Sequence, residues 1–361
     1  MLAEVAPLGE LFRAQRKKLF LVGGSVRDLL IDRATTELDF DFTTDARPDD
    51  IKAIVSGWAD ALWTPGERFG TISAEKGGRT YEITTHRAEA YSPESRKPEV
   101  QFSDRIEDDL SRRDFTVNAM ALEITAEAPV LVDPYGGLAD LMGKVLRTPL
   151  SPTVSFSDDP LRMMRAARFI AGLQLTPVDE LVAAVRSMCD RLSIVSAERI
   201  RHELDRLMVT EHPTAGLWFL VDTGLAEHFF PELPAMRLEQ DPIHRHKDVL
   251  THTFAVVENV RPDASPKFDF RITRLAALFH DIGKPRTRGY KDGKGVTFHH
   301  HEVVGARMTK ARLKALKYSS QDVDAITDLV ALHLRFHTYA MGWTDSAVRR
   351  YVRDAGPLLN E

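Results

Sequence analysis

The sequence predicts a mixed-sheet α/β head followed by an all-helical neck and body. A strand–glycine–helix–strand unit over residues 19–44 and a hairpin pattern over 71–84 predict the head, and the loss of strand patterning from about residue 151 predicts the helical remainder. The expected division is a head over 1–150, a helical neck over 151–235 and a helical body over 236–361.

Residues 1–18 have the spacing of an amphipathic leading helix. Leu19, Phe20, Leu21 and Val22 form a short apolar run closed by Gly23-Gly24, which reads as a buried strand ending in a glycine turn. Ser25 is the expected cap of the next helix, with Val26, Leu29 and Leu30 as its apolar side. A glycine turn feeding a helix N-terminus offers backbone N–H groups to an anion, and Arg27 adds a fixed positive charge. In Leu38-Asp39-Phe40-Asp41-Phe42, alternation puts Asp39 and Asp41 on one strand face and the apolar residues on the other. Adjacent carboxylates repel unless a cation sits between them, and an oxygen-only pair suits Mg²⁺. Taken singly, Gly-Gly fits an ordinary loop and Asp-x-Asp a solvated face. Together in one short unit they describe a phosphate cradle beside a divalent-metal site.

Thr71 to Ala74 and Thr80 to Thr84 read as a hairpin around Lys76-Gly77-Gly78-Arg79. Glu82 lies on its second strand, facing either the metal site or plain solvent. Residues 86–101 are polar, contain Pro93 and Pro98, and read as a long loop. Arg112-Arg113-Asp114 then precedes alternating Phe115, Val117 and Ala119; by itself the charged run is equally a surface ion-pair cluster. Asp133-Pro134-Tyr135-Gly136-Gly137 reads as a turn.

Asp158-Asp159-Pro160 reads as a helix start. Asp159, Arg162, Arg165 and Arg168 form a stripe along that helix, with Leu161, Met164, Ala167 and Ala171 as its apolar side. A surface salt-bridge ladder is one reading, weakened because three arginines share only one nearby acid. Ser196 to Leu204 reads as another capped helix start. Most histidines follow His244: His252, His280-Asp281 after the apolar run Leu275 to Phe279, His299 to His301, and His333. Neutral imidazoles plus one carboxylate suit a transition metal such as Mn²⁺, Ni²⁺ or Fe²⁺.

Composition bounds the function. A chain of 361 residues accommodates two or more domains, and 43% hydrophobic with 28% charged residues is that of a soluble globular protein. A net charge of −5 argues against an indiscriminate nucleic-acid binder, while allowing arginines concentrated on one face. The clusters at Arg112-Arg113, Arg162 to Arg168 and Arg307 to Lys317 are candidates for such a face, or solvated helix faces. The one cysteine, Cys189, excludes a disulfide framework and a cysteine zinc site, and is expected inside a helix. No apolar run is long enough to span a bilayer, so no membrane association is expected; the segment from Phe12 to Lys18 is too charged for a signal region, and a cytoplasmic location is expected.

The wording GGSVRD…LDFD resembles the head motif of the class II tRNA nucleotidyltransferase and poly(A) polymerase family. RRDFTVNA looks like that family's ribose and triphosphate motif, and Asp158-Asp159-Pro160-Leu161-Arg162 like its Glu-Asp-x-x-Arg, with Asp158 in place of Glu. The histidine-rich segment resembles an HD domain, a helical metal-dependent phosphohydrolase fold. The resemblance covers nearly the whole chain, with the motifs in family order.

It implies template-independent addition of CCA to the 3′ end of tRNA from CTP and ATP, with pyrophosphate leaving. Asp39 and Asp41 would be the catalytic residues and hold two Mg²⁺ ions. Gly24, Arg27, Arg113, Asp114, Asp159, Arg162, Arg165 and Arg168 would bind the nucleotide. Among these, Arg113 would grip phosphate, Asp114 would accept from a ribose hydroxyl, and Asp159 and Arg162 would read the base edge. His252, His280, Asp281, His301 and His333 would form the HD metal site. An HD pattern normally closes on a further Asp; the sequence ends at Glu361 without it, so the chain reads as cut before that residue and before the tail that grips the tRNA elbow.

The loop at 86–101, with Arg96-Lys97-Pro98 as its basic segment, is implicated in the family's switch from C to A addition. Its presence argues against a CC-only enzyme. An A-only enzyme or a poly(A) polymerase shares the fold. Rivals from other classes are an HD phosphohydrolase with an RNA-binding head and a catalytically silent RNA-binding protein. Retention of Asp39 and Asp41 speaks against both.

Overall fold

Leu21, Phe42 and Ile83 are buried, and they lie on the three central strands of a seven-stranded mixed sheet. The structure, a computed structural model, describes residues 1–33, 39–90, 99–238, 248–265, 268–291, 295–335 and 342–361. It divides into two units. One comprises Met1–Ser155 with Thr176–Leu181, the other Phe156–Leu175 with Val182–Glu361.

In the first unit the described strands are β1 Leu19–Val22, β2 Asp39–Thr44, β3 Ala61–Trp63, β4 Thr71–Lys76, β5 Arg79–Thr85, β6 Arg87–Ala90, β7 Glu99–Phe102, β8 Ala121–Glu123, β9 Val130–Val132, β10 Val145–Leu146 and β11 Thr176–Pro177. The large sheet runs β3-β4-β5-β2-β1-β8-β9. Among the described residues of this sheet only β2 and β5 pair in parallel, and that register sets Asp41 opposite Glu82. The expected hairpin is β4–β5, with Gly77 and Gly78 at positive φ in its turn. The leading helix spans Leu2–Ala14 and buries Val5, Leu8 and Phe12.

Three local expectations change. The helix after β1 is Gly24–Leu30, with Gly23 as its N-cap and no side-chain cap bond, so Ser25 lies inside it. Gly23 has φ 72° and ψ −135°, which a residue with a Cβ rarely adopts, and this backbone needs no serine. The segment read as one loop over 86–101 contains an antiparallel ribbon, β6 with β7. Strand pairing satisfies backbone groups that a loop would leave open, and Pro93 and Pro98 lie outside both strands. The tip at 91–98, including Arg96-Lys97-Pro98, is outside the described residues. Finally, Thr116–Asn118 is a single buried 3₁₀ turn, not a continuation of strand alternation.

The second unit is helical apart from a short two-stranded ribbon. Helix Leu161–Leu173 packs against Ala197–Met208 and Thr214–Asp222. Gly216 permits the last contact, since a Cβ there would lie 2.4 Å from the Ala167 carbonyl oxygen. Ser196 caps Ala197–Met208 as expected, accepting from the Arg199 amide. Cys189 is half-buried at the start of a 3₁₀ segment and not within an α-helix. Helices Val249–Asn259, Phe270–Phe279, His301–Ala315 and Ser320–Leu332 form the rest of the core, followed by Asp345–Ala355.

Arg274 is 1% exposed and lies over the Phe270 ring. Its guanidinium donates to the carbonyls of Met208, Thr210, Glu211 and Val260, which closes the end of helix Ala197–Met208. No helix among the described residues is long and apolar enough to cross a membrane.

Candidate active site and metal centre

The head cleft is lined by Asp41, Glu82, Arg87, Asp109, Arg112 and Arg113. Asp41 is exposed on β2 while Phe40 and Phe42 are 3% and 1% exposed, as alternation requires. Asp39 is two residues back on the same strand; its side chain is outside what is described. The parallel register brings Glu82 onto the cleft beside Asp41, which favours the metal-facing alternative for that residue.

The opposite charge comes from arginines. Arg113 Nη2 donates to Asp109 Oδ2 at 3.3 Å, and a Cβ on Gly23 would lie 2.9 Å from Arg113 Nη1. A bare glycine therefore lets this guanidinium approach the turn, joining two motifs some ninety residues apart in sequence. The Nε atoms of Arg87 and Arg113 are buried without a hydrogen-bond partner among the described residues. Buried donors of this kind are normally satisfied, so the cleft is built for an acceptor such as phosphate oxygen.

Arg27 is braced and not loose. Its Nε donates to Asp28 at 2.8 Å and its Nη1 to Asn118 Oδ1 at 2.6 Å. Asn118 Nδ2 in turn donates to Asp114 Oδ1 at 2.9 Å, which also accepts from the Phe115 amide at 2.8 Å. Asp114 is 7% exposed, so its visible work is to fix this turn. Sequence reasoning missed Arg87 and Asn118. Arg87 gains its meaning from the β6–β7 pairing and Asn118 from its bonds to Arg27 and Asp114, partners that local pattern does not reveal. Behind the cleft, His86 Nδ1 lies 2.8 Å from Thr43 Oγ1, and burial pushes the imidazole below its ordinary pKa.

In the second unit, helix Leu161–Leu173 begins two residues later than Asp159, with Pro160 at the N-cap. Asp159 Oδ1 accepts from the Leu161 amide at 3.1 Å, and Oδ2 accepts from Arg199 Nη2 at 2.9 Å. Arg162 shares the stripe as expected. The missing acid for the other arginines is Glu203, 5% exposed on the neighbouring helix. Arg168 Nε donates to Glu203 Oε2 at 2.7 Å, and Arg165 lies 3.8 Å from Oε1. Arg168 is only 12% exposed and so serves the packing of two helices. This pairing gives Arg168 a structural role beside the nucleotide contact expected of it. A partner thirty-five residues away cannot be seen in helical spacing.

The five expected HD residues converge. His252 comes from helix Val249–Asn259, His280-Asp281 from the end of Phe270–Phe279, His301 opens its helix, and His333 ends Ser320–Leu332. Asp281 is 1% exposed. Its Oδ2 lies 3.1 Å from His280 Nε2 and 3.7 Å from His252 Nε2; its Oδ1 lies 3.3 Å from His301 Nε2 and 4.0 Å from His333 Nε2. The rings of His280, His301 and His333 each place Nδ1 within 2.8 Å of a backbone carbonyl, of Ala277, Phe298 and Val330. Nδ1 therefore donates, which turns each Nε2 toward the carboxylate. In its neutral form such a ring offers an Nε2 lone pair beside a carboxylate oxygen, and this donor set fits a transition metal.

Burial raises the Asp281 carboxyl, but His280, His301 and Lys284 outweigh it and hold it far below the ordinary carboxylate range. Burial lowers His333 to about 4, which keeps it neutral. His244 is outside the described residues, and His300 is exposed beside the cluster.

A cleft of carboxylates and arginines on a mixed sheet, followed by helices carrying an HD cluster, defines a nucleotidyltransferase of the metal-dependent kind. The chain matches the family model for the poly A polymerase head domain over residues 19–147. It also matches the models for a probable RNA and SrmB-binding site of polymerase A over 175–236 and for the HD domain over 249–358. It is 34% identical over 351 residues to an A-adding tRNA nucleotidyltransferase of Deinococcus radiodurans, covering 94% of this chain and 73% of that one. It is 37% identical over 209 residues to a CCA-adding enzyme of Lactobacillus helveticus, covering 58% of this chain. The chain spans about half the length of that relative. In fold it is similar to a Bacillus stearothermophilus CCA-adding enzyme in complex with CTP, at TM-score 0.65 and 22% identity over 99% of this chain and 78% of that chain. The chain belongs to the tRNA nucleotidyltransferase and poly(A) polymerase family.

Proposed function

We propose that the chain adds C, C and A to the 3′ end of tRNA from CTP and ATP, in the cytoplasm, releasing pyrophosphate. The observation that carries this reading is the head cleft, where Asp41 and Glu82 lie opposite Arg87, Arg112 and Arg113 around the Gly23-Gly24 turn. The tRNA 3′-hydroxyl attacks the α-phosphate in line, and the bond to pyrophosphate breaks. Asp39 and Asp41, with oxygen donors only, suit two Mg²⁺ ions. When bound, these lower the pKa of the hydroxyl and neutralise charge on the leaving oxygens. Arg113 and Arg87 hold triphosphate oxygens, and Arg27, fixed by Asn118, keeps the glycine turn and the Asp114 turn in one arrangement. Most of the catalysis is then positioning and charge neutralisation.

On this reading Asp159 and Arg162 face the Watson–Crick edge of the incoming base. A carboxylate accepts from the exocyclic amine of C or A, and a guanidinium donates to the neighbouring ring acceptors. Arg165, one-third exposed, supplies further positive charge. The HD cluster holds a transition metal.

A second reading has a specific support. The relative matching 94% of this chain is an A-adding enzyme, so addition of the terminal A alone is the alternative. The experiment is incubation of tRNA lacking CCA, tRNA lacking only A, and complete tRNA with each labelled nucleoside triphosphate. CTP incorporation into the first substrate establishes CCA addition. Labelling confined to ATP on the second establishes A addition, and no labelling of either would defeat both.

A further inference from the structure

The open face of the head sheet carries one rung across four strands. Register sets Trp63 on β3 opposite Ser73 on β4, Ser73 opposite Glu82 on β5, and Glu82 opposite Asp41 on β2. Residues paired in register share a face, so all four stand on the same side. Ile72, Ala74, Tyr81 and Ile83 alternate with them, face the core and are at most 3% exposed. Toward β3 the open face widens into a pocket of about 590 Å³ lined by Trp63, Phe69, Thr71 and Ser73. Glu82 and Arg87 line both this pocket and the head cleft. Trp63 is 44% and Phe69 43% exposed. Two large rings left open beside a charged cleft mark a ligand surface.

The rings are held from behind. Gly70, at φ 82°, ends the 3₁₀ turn Glu67–Phe69, and a Cβ on it would lie 2.6 Å from the Phe102 ring, so this turn rests closely on β7. Lys52 Nζ donates to Glu67 Oε1 at 2.6 Å, and the Arg68 guanidinium lies 4.5 Å from the Phe69 ring centroid. The pocket also lies on a particular side of the carboxylates. In-line displacement puts the attacking and leaving oxygens on opposite sides of the phosphorus. Arg113 and the Gly23 turn lie toward β1 from Asp41, whereas Trp63 and Phe69 lie toward β3. With the leaving pyrophosphate gripped on the first side, the hydroxyl arrives from the second.

We propose that Trp63 and Phe69 form a stacking platform for the unpaired 3′ end of the acceptor RNA, a reading that rests on the head cleft as the site of transfer. Trp63 is three strand spacings from Asp41, about 14 Å, which suits a nucleotide just upstream of the reacting end. Every base has a π-face, so such a platform accepts an end whose last base changes after each addition. Arg68 adds a cation for the backbone of the same strand.

The probe is tRNA lacking only its terminal A, with 2-aminopurine placed in turn at its last three positions, bound to the full chain. Stacking quenches this base, so at least one position should lose fluorescence several-fold, and the double variant Trp63→Ala, Phe69→Ala should restore it. In steady-state transfer each alanine variant should raise KM for the tRNA roughly five- to a hundredfold, with KM for CTP and ATP unchanged. Trp63→Phe keeps a π-face and should recover most of the loss, whereas Trp63→Leu should not. Leu62→Ala, adjacent on β3 but on the opposite face, should alter neither quenching nor KM. No quenching at any position, or quenching and KM for tRNA unaffected by the double variant, would overturn the platform. A rise in KM for CTP and ATP alone would overturn it in favour of the incoming base. Quenching that the double variant abolishes, in a chain that transfers no nucleotide, would defeat the transfer reading and still uphold the platform.

Discussion

Replacing Glu203 by Leu tests whether the arginine stripe is structural where it is buried. Glu203 is 5% exposed and Arg168 12% exposed, with 2.7 Å between them. Removing one partner of a buried pair strands the other charge in a low dielectric, a cost of about 3–5 kcal/mol. Arg165, 3.8 Å away and one-third exposed, adds little because solvent screens it. In a unit of this size each kcal/mol shifts Tm by roughly 2–4 °C, so Glu203→Leu should lower Tm by about 6–20 °C. The double variant Glu203→Leu, Arg168→Leu exchanges an ion pair for apolar packing of similar volume and should recover most of that loss. Melting followed by circular dichroism reads the stability, and KM for CTP and ATP in the double variant reads the function. A double variant as unstable as the single one would refute the pairing argument. A stable double variant with KM raised tenfold would place Arg168 among the nucleotide contacts as well.

Asp41→Ala or Asp39→Ala should reduce nucleotide transfer on the order of a thousandfold, the equivalent of about 4 kcal/mol, with Tm unchanged; labelled-CTP incorporation checks it. Asp159→Ala should relax base choice by roughly ten- to a hundredfold toward UTP or GTP and also lose the bond from the Leu161 amide, worth about 1 kcal/mol. Arg162→Ala should weaken CTP and ATP together, and four-nucleotide competition alongside melting separates selectivity from stability. Gly23→Ala, at φ 72° and against Arg113, should cost about 1–3 kcal/mol and raise KM for the triphosphate, read by melting and steady-state kinetics. His86 has a folded pKa below its ordinary 6.5, so the unfolded chain takes up the proton first as pH falls. Stability should therefore be level above pH 6.5 and decline below it, and His86→Gln should flatten that decline in urea titrations at stepped pH.

Much of the head was legible because its signals are local. An apolar run ended by two glycines, alternation around Asp39 and Asp41, and a Gly-Gly hairpin each carry their structure within a few residues. The HD histidines were legible through resemblance to a family, since no helical period relates His252, His280, His301 and His333. What could not be read depended on partners distant in the chain. Glu203 changes the meaning of Arg168, Asn118 fixes Arg27, and the β2–β5 register turns Glu82 toward the cleft. Ser25 failed for another reason: a positive-φ glycine ended the turn and shifted the cap by two residues.

Arg274 bears on how this protein can be taken apart. Sequence likeness draws a seam between residues 236 and 249, where one family match stops and the next begins. A fragment ending at that seam would keep helix Ala197–Met208 but lose the guanidinium that takes up the Met208, Thr210 and Glu211 carbonyls. A fragment starting there would keep Arg274 with three of its four acceptors gone, a buried cation with little to hold it. Severed pieces should therefore aggregate or melt early, and dissection should succeed only outside the stretch from 197 to 279. The line along which the chain is recognised is not the line along which it separates.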